Sequence, residues 1–323
     1  MKHLFSFSVY QKLAEISSTA VESTLNGMGC DGLELLTGYY PVPDEYRSYA
    51  TGVHLPYAAD WLRAWTGKEV PDCDMETARF IMFGKCAADV TESLALAISQ
   101  ASELNPPYGV LHAGNINLDD IFMHEGLDSD KKVLGSFCEM VNSAVSLLPH
   151  GKVPFKLAFE NLWWPGLKMK DGWEVKFFEN KIEFEEWGIC LDTGHLLNCL
   201  PDIRNEHDAI CSLRKVFEGY SADTLDRIGT VHLHVSTSSD YRDSFEGRTR
   251  DPDDSMGVFM EKANEHIGKI DQHRPFKSDR CAELVEMLSP DYVTHEMAGF
   301  VSGDPLGDFR AQRSHFPFDL RML

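Results

Sequence analysis

Trp187-Gly188-Ile189-Cys190-Leu191-Asp192-Thr193-Gly194-His195-Leu196-Leu197 is an apolar run that stops abruptly at Asp-Thr-Gly-His. A buried strand has no use for a carboxylate followed three residues later by an imidazole. A metal site has. Carboxylate oxygen and neutral imidazole nitrogen together suit divalent ions such as Zn²⁺, Mn²⁺ or Fe²⁺. The reading of the chain turns on whether other segments end in the same way.

They do. Leu4–Val9, Gly29–Leu36 (a turn, then strand), Gly52–Tyr57, Tyr108–Asn115, Phe155–Asn161, Ile228–Val235 and Tyr292–Gly299 read as further strands, giving eight with the first. Helical spacing fills the intervals: Leu13, Ile16, Ala20, Val21 and Leu25 within 11–28, then long helices over 75–104, 130–148 and 205–219. Regular alternation of strand and helix predicts a parallel sheet covered by helices. Eight units in a chain of 323 residues fit a single (β/α)8 TIM barrel over 1–323, with no linker to divide it. Long loops at 58–74, 162–180 and 236–256 are expected at the active-site end, the first of them rich in aromatics around Trp61-Leu62-Arg63-Ala64-Trp65. An open doubly wound sheet would place a phosphate-binding glycine loop after the first strand, and Tyr10-Gln11-Lys12 is not one. Gly27, Gly29 and Gly32 have G-x-G-x-x-G spacing but follow a helix and precede a strand, the reverse of a dinucleotide fingerprint.

Six of the thirteen histidines, His54, His112, His195, His232, His234 and His295, fall at or just beyond strand ends, as do Glu34, Glu160, Asp192 and Glu296. In a barrel those ends converge on one mouth. Gathering this many ionisable groups there is costly unless they bind something. Side chains alternate along a strand, so His232 and His234 share a face, and Glu296 shares one with Thr294, opposite to His295. Glu296 is therefore expected at the site, with His295 behind the strand.

The net charge of −21 opposes binding to nucleic acid. Arg242, Arg248 and Arg250 cluster after the seventh strand, where barrels often bind phosphate, although solvated surface charge accounts for them equally. The eight cysteines form no C-x-x-C and fit a reducing compartment. No run approaches the roughly 20 apolar residues of a membrane span. The first residues are too briefly apolar for a signal peptide, so a cytoplasmic protein is expected.

Taken in order, Val-His-Leu-Pro-Tyr at 53–57, Leu-His-Ala-Gly at 111–114, Phe-Glu-Asn at 159–161, Leu-Asp-Thr-Gly-His at 191–195, His-Leu-His at 232–234 and Glu296 resemble the xylose isomerase-like barrel superfamily. That superfamily contains sugar isomerases, ketose 3-epimerases and endonuclease IV-type apurinic-site nucleases. The resemblance implies a central metal held by Glu160, Asp192, His234 and Glu296. In the nuclease-like members a second metal matches His54, His112 and Glu160. A third uses the histidine matching His195 together with a later Asp-x-His pair. The loop after His234 offers Asp240, Asp243, Asp251, Asp253 and Asp254 but no such pair, so one or two ions (Zn, Mn, Fe or Co) are expected.

Two functions follow from the resemblance. The leading one is a sugar or sugar-phosphate isomerase or epimerase using an enediolate mechanism. Glu160 and Glu296 then act as base and acid, and His195, His232, Asn161 and Trp163 hold substrate. Trp61, Trp65 and Trp164 would help wall the cavity, or simply pack as loop aromatics. The alternative is a dinuclear hydrolase of the endonuclease IV-like type, acting on a small phosphodiester rather than DNA. His54 and His112 favour it, because a one-metal epimerase does not need both. A non-catalytic barrel would need broken ligands, and every central position is filled. No G-x-S-x-G elbow supports a serine hydrolase.

Overall fold

Eight parallel strands close into a barrel in chain order in the computed structural model, which describes residues 1–10, 25, 27–297 and 303–317. The strands are β1 (Lys2–Ser8), β2 (Gly32–Leu36), β3 (Ala50–His54), β4 (Tyr108–His112), β5 (Lys156–Glu160), β6 (Trp187–Asp192), β7 (Ile228–Leu233) and β8 (Tyr292–His295). β1 pairs with β8 to seal the ring. The architecture is the expected (β/α)8 barrel.

Alternation decides what the strands carry inward. Leu4, Tyr108, Val110, Ala158 and Cys190 pack together as the deep plug of the barrel. Their strand neighbours Leu111, Phe159, Ile189, Leu191, Val231 and Val293 face the helices and belong to the main apolar core. Two residues above the plug, the same inward rows reach His112, Glu160 and Asp192. The register sets these side by side: His112 pairs with Glu160, Glu160 with Cys190, and Asp192 with His232. His295 points the other way. It is fully buried behind β8, its Nε2 3.0 Å from His3 Nδ1 and its Nδ1 2.8 Å from Gln312 Nε2.

Local readings are revised in three places. The helix expected over 75–104 is two helices, Met75–Met82 and Ala87–Ser102. Phe83 at φ 62° ends the first in the left-handed region, and Gly84 at φ 151° turns the chain where a Cβ would lie 2.2 Å from Asp89 Cβ. Trp61–Trp65, expected as loop, is a short helix, and Trp61 is core, its Nε1 donating to Gly114 O at 2.8 Å. The stretch at 236–256 contains a helix, Ser239–Ser244. Most of the helix expected over 11–28 lies outside the described residues, as do Ala298 and Gly299; Leu25 is described and buried.

The segment after β7 matters most for function. It runs through the helices Ser239–Ser244 and Met256–Ile270 and delivers Asp271 and His273 beyond them. On the way it docks on the loop after β4. Arg248 N donates to Phe122 O at 3.2 Å, and Arg250 N donates to Asp119 O at 3.1 Å. Phe259 packs edge-on to Phe122 at 6.1 Å, with the Arg250 guanidinium 4.5 Å from its ring centre. β5 and β6 stand between β7 and β4, so the insertion reaches past the ends of the strands that carry Glu160 and Asp192. Arg242 is engaged by the protein itself, donating to Asn198 O and Leu200 O at 2.8 Å each.

All eight cysteines are free thiols. No described helix is long and apolar enough to cross a membrane.

Candidate metal centre

The Asp-x-x-His spacing of the sixth segment is a helix start. Asp192 ends β6 and caps the helix Thr193–Asn198, its Oδ1 accepting from His195 N at 2.6 Å. The cap turns His195 back over the mouth in the first helical turn. Asp192 Oδ2 faces His234 Nε2 at 2.9 Å. Gly194 makes room for that ring: a Cβ there would lie 1.9 Å from His234 Cε1. Gly194→Ala is therefore expected to drive His234 off Asp192. A loss of about 1–3 kcal/mol of stability, the usual range for overpacking, would appear in thermal melts together with a weakened metal site. A variant with wild-type melting and metal content would refute the packing argument.

Glu160 lies at the middle of the mouth, 1% exposed. Its Oε2 is 3.1 Å from His54 Nε2 and 3.2 Å from His112 Nε2. Its Oε1 is 3.2 Å from His232 Nδ1 and 3.4 Å from His195 Nδ1. One carboxylate thus faces imidazoles on both sides. His232 Nδ1 is also 3.2 Å from Glu296 Oε1 and 3.9 Å from Asp192 Oδ2. On the far side His195 Nε2 meets Asp271 Oδ2 at 3.2 Å, and His273 Nε2 meets the same oxygen at 2.8 Å.

Among the described residues these groups form three donor sets, each with ligand atoms within 4.8 Å of one another: His54, His112 and Glu160; Glu160, Asp192, His232 and Glu296; and His195, His234, Asp271 and His273. The residues fit divalent metal by chemistry as well as position. Donors are imidazole and carboxylate throughout, and the buried Asp271 Oδ1 and His234 Nδ1 have no hydrogen-bond partner. Two of the histidines are also held from outside. His54 Nδ1 donates to Leu55 O at 2.7 Å and His195 Nδ1 to Asn161 O at 2.9 Å, which leaves Nε2 of each facing the carboxylates.

Charge in the cluster is balanced by protons. Burial alone would raise Glu160, but the His112 and His232 imidazoles outweigh it and hold the carboxyl well below its usual range. Burial likewise opposes the charged form of His195, yet Asp192 and Asp271 carry it well above the ordinary imidazole value. His273 rises to about 9, with burial outweighed by Asp271. Glu296 moves the other way: burial raises it, and His232 and His273 only partly offset that.

Several sequence expectations are redrawn. The Asp-x-His pair absent from the 236–256 loop stands further on as Asp271-Gln272-His273, beyond the helix Met256–Ile270 and against His195. His232 groups with the three central carboxylates, while His234, expected there, has its Nε2 2.9 Å from Asp192 Oδ2 and 3.9 Å from Glu296 Oε2 and also groups with the outer set, stacked on His273 with ring centres 4.1 Å apart. Asn161, expected to hold substrate, is fully buried and bonded to the Asp192 backbone, Oδ1 accepting from Asp192 N at 2.8 Å and Nδ2 donating to Asp192 O at 3.0 Å. Trp163 does reach the site, 5.1 Å from the His195 ring, and Trp164 packs against the core. Tyr57, quoted in the 53–57 motif but given no site role from sequence, stacks on His112 at 4.6 Å.

No family model and no curated protein matches the sequence. Solved structures do match it in shape. Endonuclease IV from Thermus thermophilus aligns at a TM-score of 0.54 and 15% identity, covering 98% of each chain. D-allulose 3-epimerase from Methylomonas sp., solved with D-allulose, aligns at 0.53 and 9% identity over 97% of this chain and 96% of the epimerase. An L-ribulose 3-epimerase aligns at 0.53 and 11% identity over 97% of this chain and 93% of the other. These likenesses show a shared (β/α)8 barrel fold.

Proposed function

We propose that this chain is a metal-dependent hydrolase acting on a small phosphodiester, in which Glu160 would serve two ion-binding sets and His195, Asp271 and His273 would help hold a third ion. The observation that carries this reading is the Asp271–His273 pair at His195, 3.2 Å from Asp271 Oδ2 to the imidazole. It completes an outer donor set beside the two that share Glu160. An isomerase using one ion has no need of it, and the sequence-based preference for isomerisation rested partly on its absence.

Ions bound in these sets would supply Lewis acidity toward a phosphoryl oxygen and a hydrolytic nucleophile at neutral pH. The chain supplies position. Glu160 presents one oxygen to His54 and His112 and the other to His232, an arrangement suited to bridging. With both oxygens facing imidazoles, it is poorly placed to take a proton from a sugar carbon. Asp192, His232 and Glu296 complete the central set, and His195, Asp271 and His273 the outer one, with His234 alongside. Trp163 and Tyr57 flank the two ends of the cluster and would contact the substrate's organic groups. The insertion docked on the β4 loop, together with the charge of −21, favours a compact substrate over duplex nucleic acid.

The test pairs metal content with turnover. Protein reconstituted with zinc or manganese should bind about three equivalents, one for each donor set, and hydrolyse bis(p-nitrophenyl) phosphate. One equivalent, with carbon-bound deuterium exchange into ketoses and no phosphodiester cleavage, would overturn the proposal in favour of the isomerase.

A further inference from the structure

Inside the barrel lies a carboxylate that none of the three donor sets includes. Glu34, in the middle of β2, is 0% exposed. Isolating an ionised carboxylate there is expensive, and an apolar residue of similar volume would often serve stability as well. Its surroundings indicate a more specific purpose. Oε2 accepts from Tyr108 Oη at 2.5 Å and from Thr294 Oγ1 at 2.9 Å. Oε1 lies 2.8 Å from His232 Nε2. The opposite ring nitrogen, Nδ1, is the one 3.2 Å from both Glu160 Oε1 and Glu296 Oε1. His232 therefore spans the gap between Glu34 below and the central carboxylates above.

We propose that Glu34 is a positioning residue for metal binding: it takes the Nε2–H of His232 and thereby turns the Nδ1 lone pair toward Glu160 and Glu296. The inference rests on the reading of this cluster as a metal centre. His54 and His195 are oriented by backbone carbonyls, whereas His232 has a carboxylate, a stronger acceptor that also raises the donor strength of the imidazole. Nε2 and Oε1 are 2.8 Å apart, with the approach off the line of a straight hydrogen bond. Glutamate suits the place because it only accepts, and a tyrosine hydroxyl, a threonine hydroxyl and an imidazole N–H converge on it. Glutamine would be different in kind. Its amide N–H₂ turned toward His232 would favour the tautomer protonated at Nδ1, which has no lone pair to offer the central set.

Zinc affinity measured against a chromophoric chelator tests this without any turnover assay. Glu34→Gln should weaken the central site about 10–100-fold, the range for loss of a partner that orients a ligand, and should leave the melting of the metal-free protein near that of the wild type. Thr294→Val removes a donor to the same carboxylate without touching His232, and it should keep wild-type affinity. Equal losses in the two variants would reduce Glu34 to a structural role, and wild-type affinity in Glu34→Gln would dismiss it altogether. Should Glu34→Gln fail to fold, long-range proton–nitrogen NMR spectra of the zinc-loaded wild type decide the matter. His232 protonated at Nε2 is expected, and protonation at Nδ1 overturns the proposal. A protein that binds zinc in this way yet cleaves no phosphodiester rejects the function proposed above and leaves the role of Glu34 standing.

Discussion

Glu160→Gln is expected to empty two of the three donor sets in one step, because Glu160 belongs to both. Metal content should fall from about three equivalents to about one, and turnover by well over a hundredfold, since even a partner one bond removed from the metal is worth about 10–100-fold. The amide keeps the shape of the side chain but loses the charge that His54, His112, His195 and His232 now surround. The upward shift of His54, in which Glu160 outweighs burial, should disappear with it. Removing one partner from a buried charged pair commonly costs about 3–5 kcal/mol. Here the imidazoles can shed protons, so the metal-free variant should lose less than that. Metal analysis, turnover and thermal melting of the same preparation check all three points. Retention of the full complement of metal with near-normal turnover would remove Glu160 from both donor sets.

The barrel was legible because its signals are repeated. The inward rows of β4, β5 and β6 run through the plug and end in a polar residue at the mouth: Tyr108, Val110 and His112; Ala158 and Glu160; Cys190 and Asp192. That pattern survives errors in any one segment. What the sequence left undecided depends on geometry finer than parity. His232 and His234 share a face, so alternation cannot say which reaches Glu160 and which reaches Asp271. The answer depends on depth in the barrel: His232 pairs in register with Asp192, whereas His234 lies beyond the end of β7. Asn161 was expected to hold substrate, and what its position could not reveal is that its amide bonds the backbone of Asp192 on the next strand. Glu34 was visible as a carboxylate in a strand, but nothing in the sequence could reveal the ring above it.

The Asp271–His273 pair is a different kind of omission. Its spacing is plain in the sequence, but a 15-residue helix, Met256–Ile270, separates it from the loop in which such a pair was sought. An insertion that leaves the barrel, docks on the β4 loop and returns carries its ligands a long way from the strand end in sequence and a short way in space. The docking contacts therefore belong to the site's construction. Phe259 against Phe122 and Arg250 against Phe259 help to fix the course of the helix back to the mouth.

That pair also separates the two functional readings most sharply. In Asp271→Asn with His273→Ala, the outer set loses two of its four donors, while the two sets sharing Glu160 remain whole. The hydrolase reading expects metal content to fall by about one equivalent and phosphodiester turnover by at least about a hundredfold, beyond the cost of disturbing a residue that merely orients a ligand. The isomerase reading expects neither change in its own reaction, because its single ion sits with Glu160, Asp192, His232 and Glu296. Acidity supplies an independent check on the single ion of the outer set. His273, held at about 9 by Asp271 against the effect of burial, must lose its proton before it can donate to a metal. Affinity at this set should therefore keep rising with pH until about 9, and the double variant should abolish that rise. Zinc titrations across pH 6–9 with a competing chelator measure both quantities. A double variant that keeps its full metal content and cleaves phosphodiesters at the wild-type rate would remove the outer set from the mechanism, and with it the main reason for preferring hydrolysis.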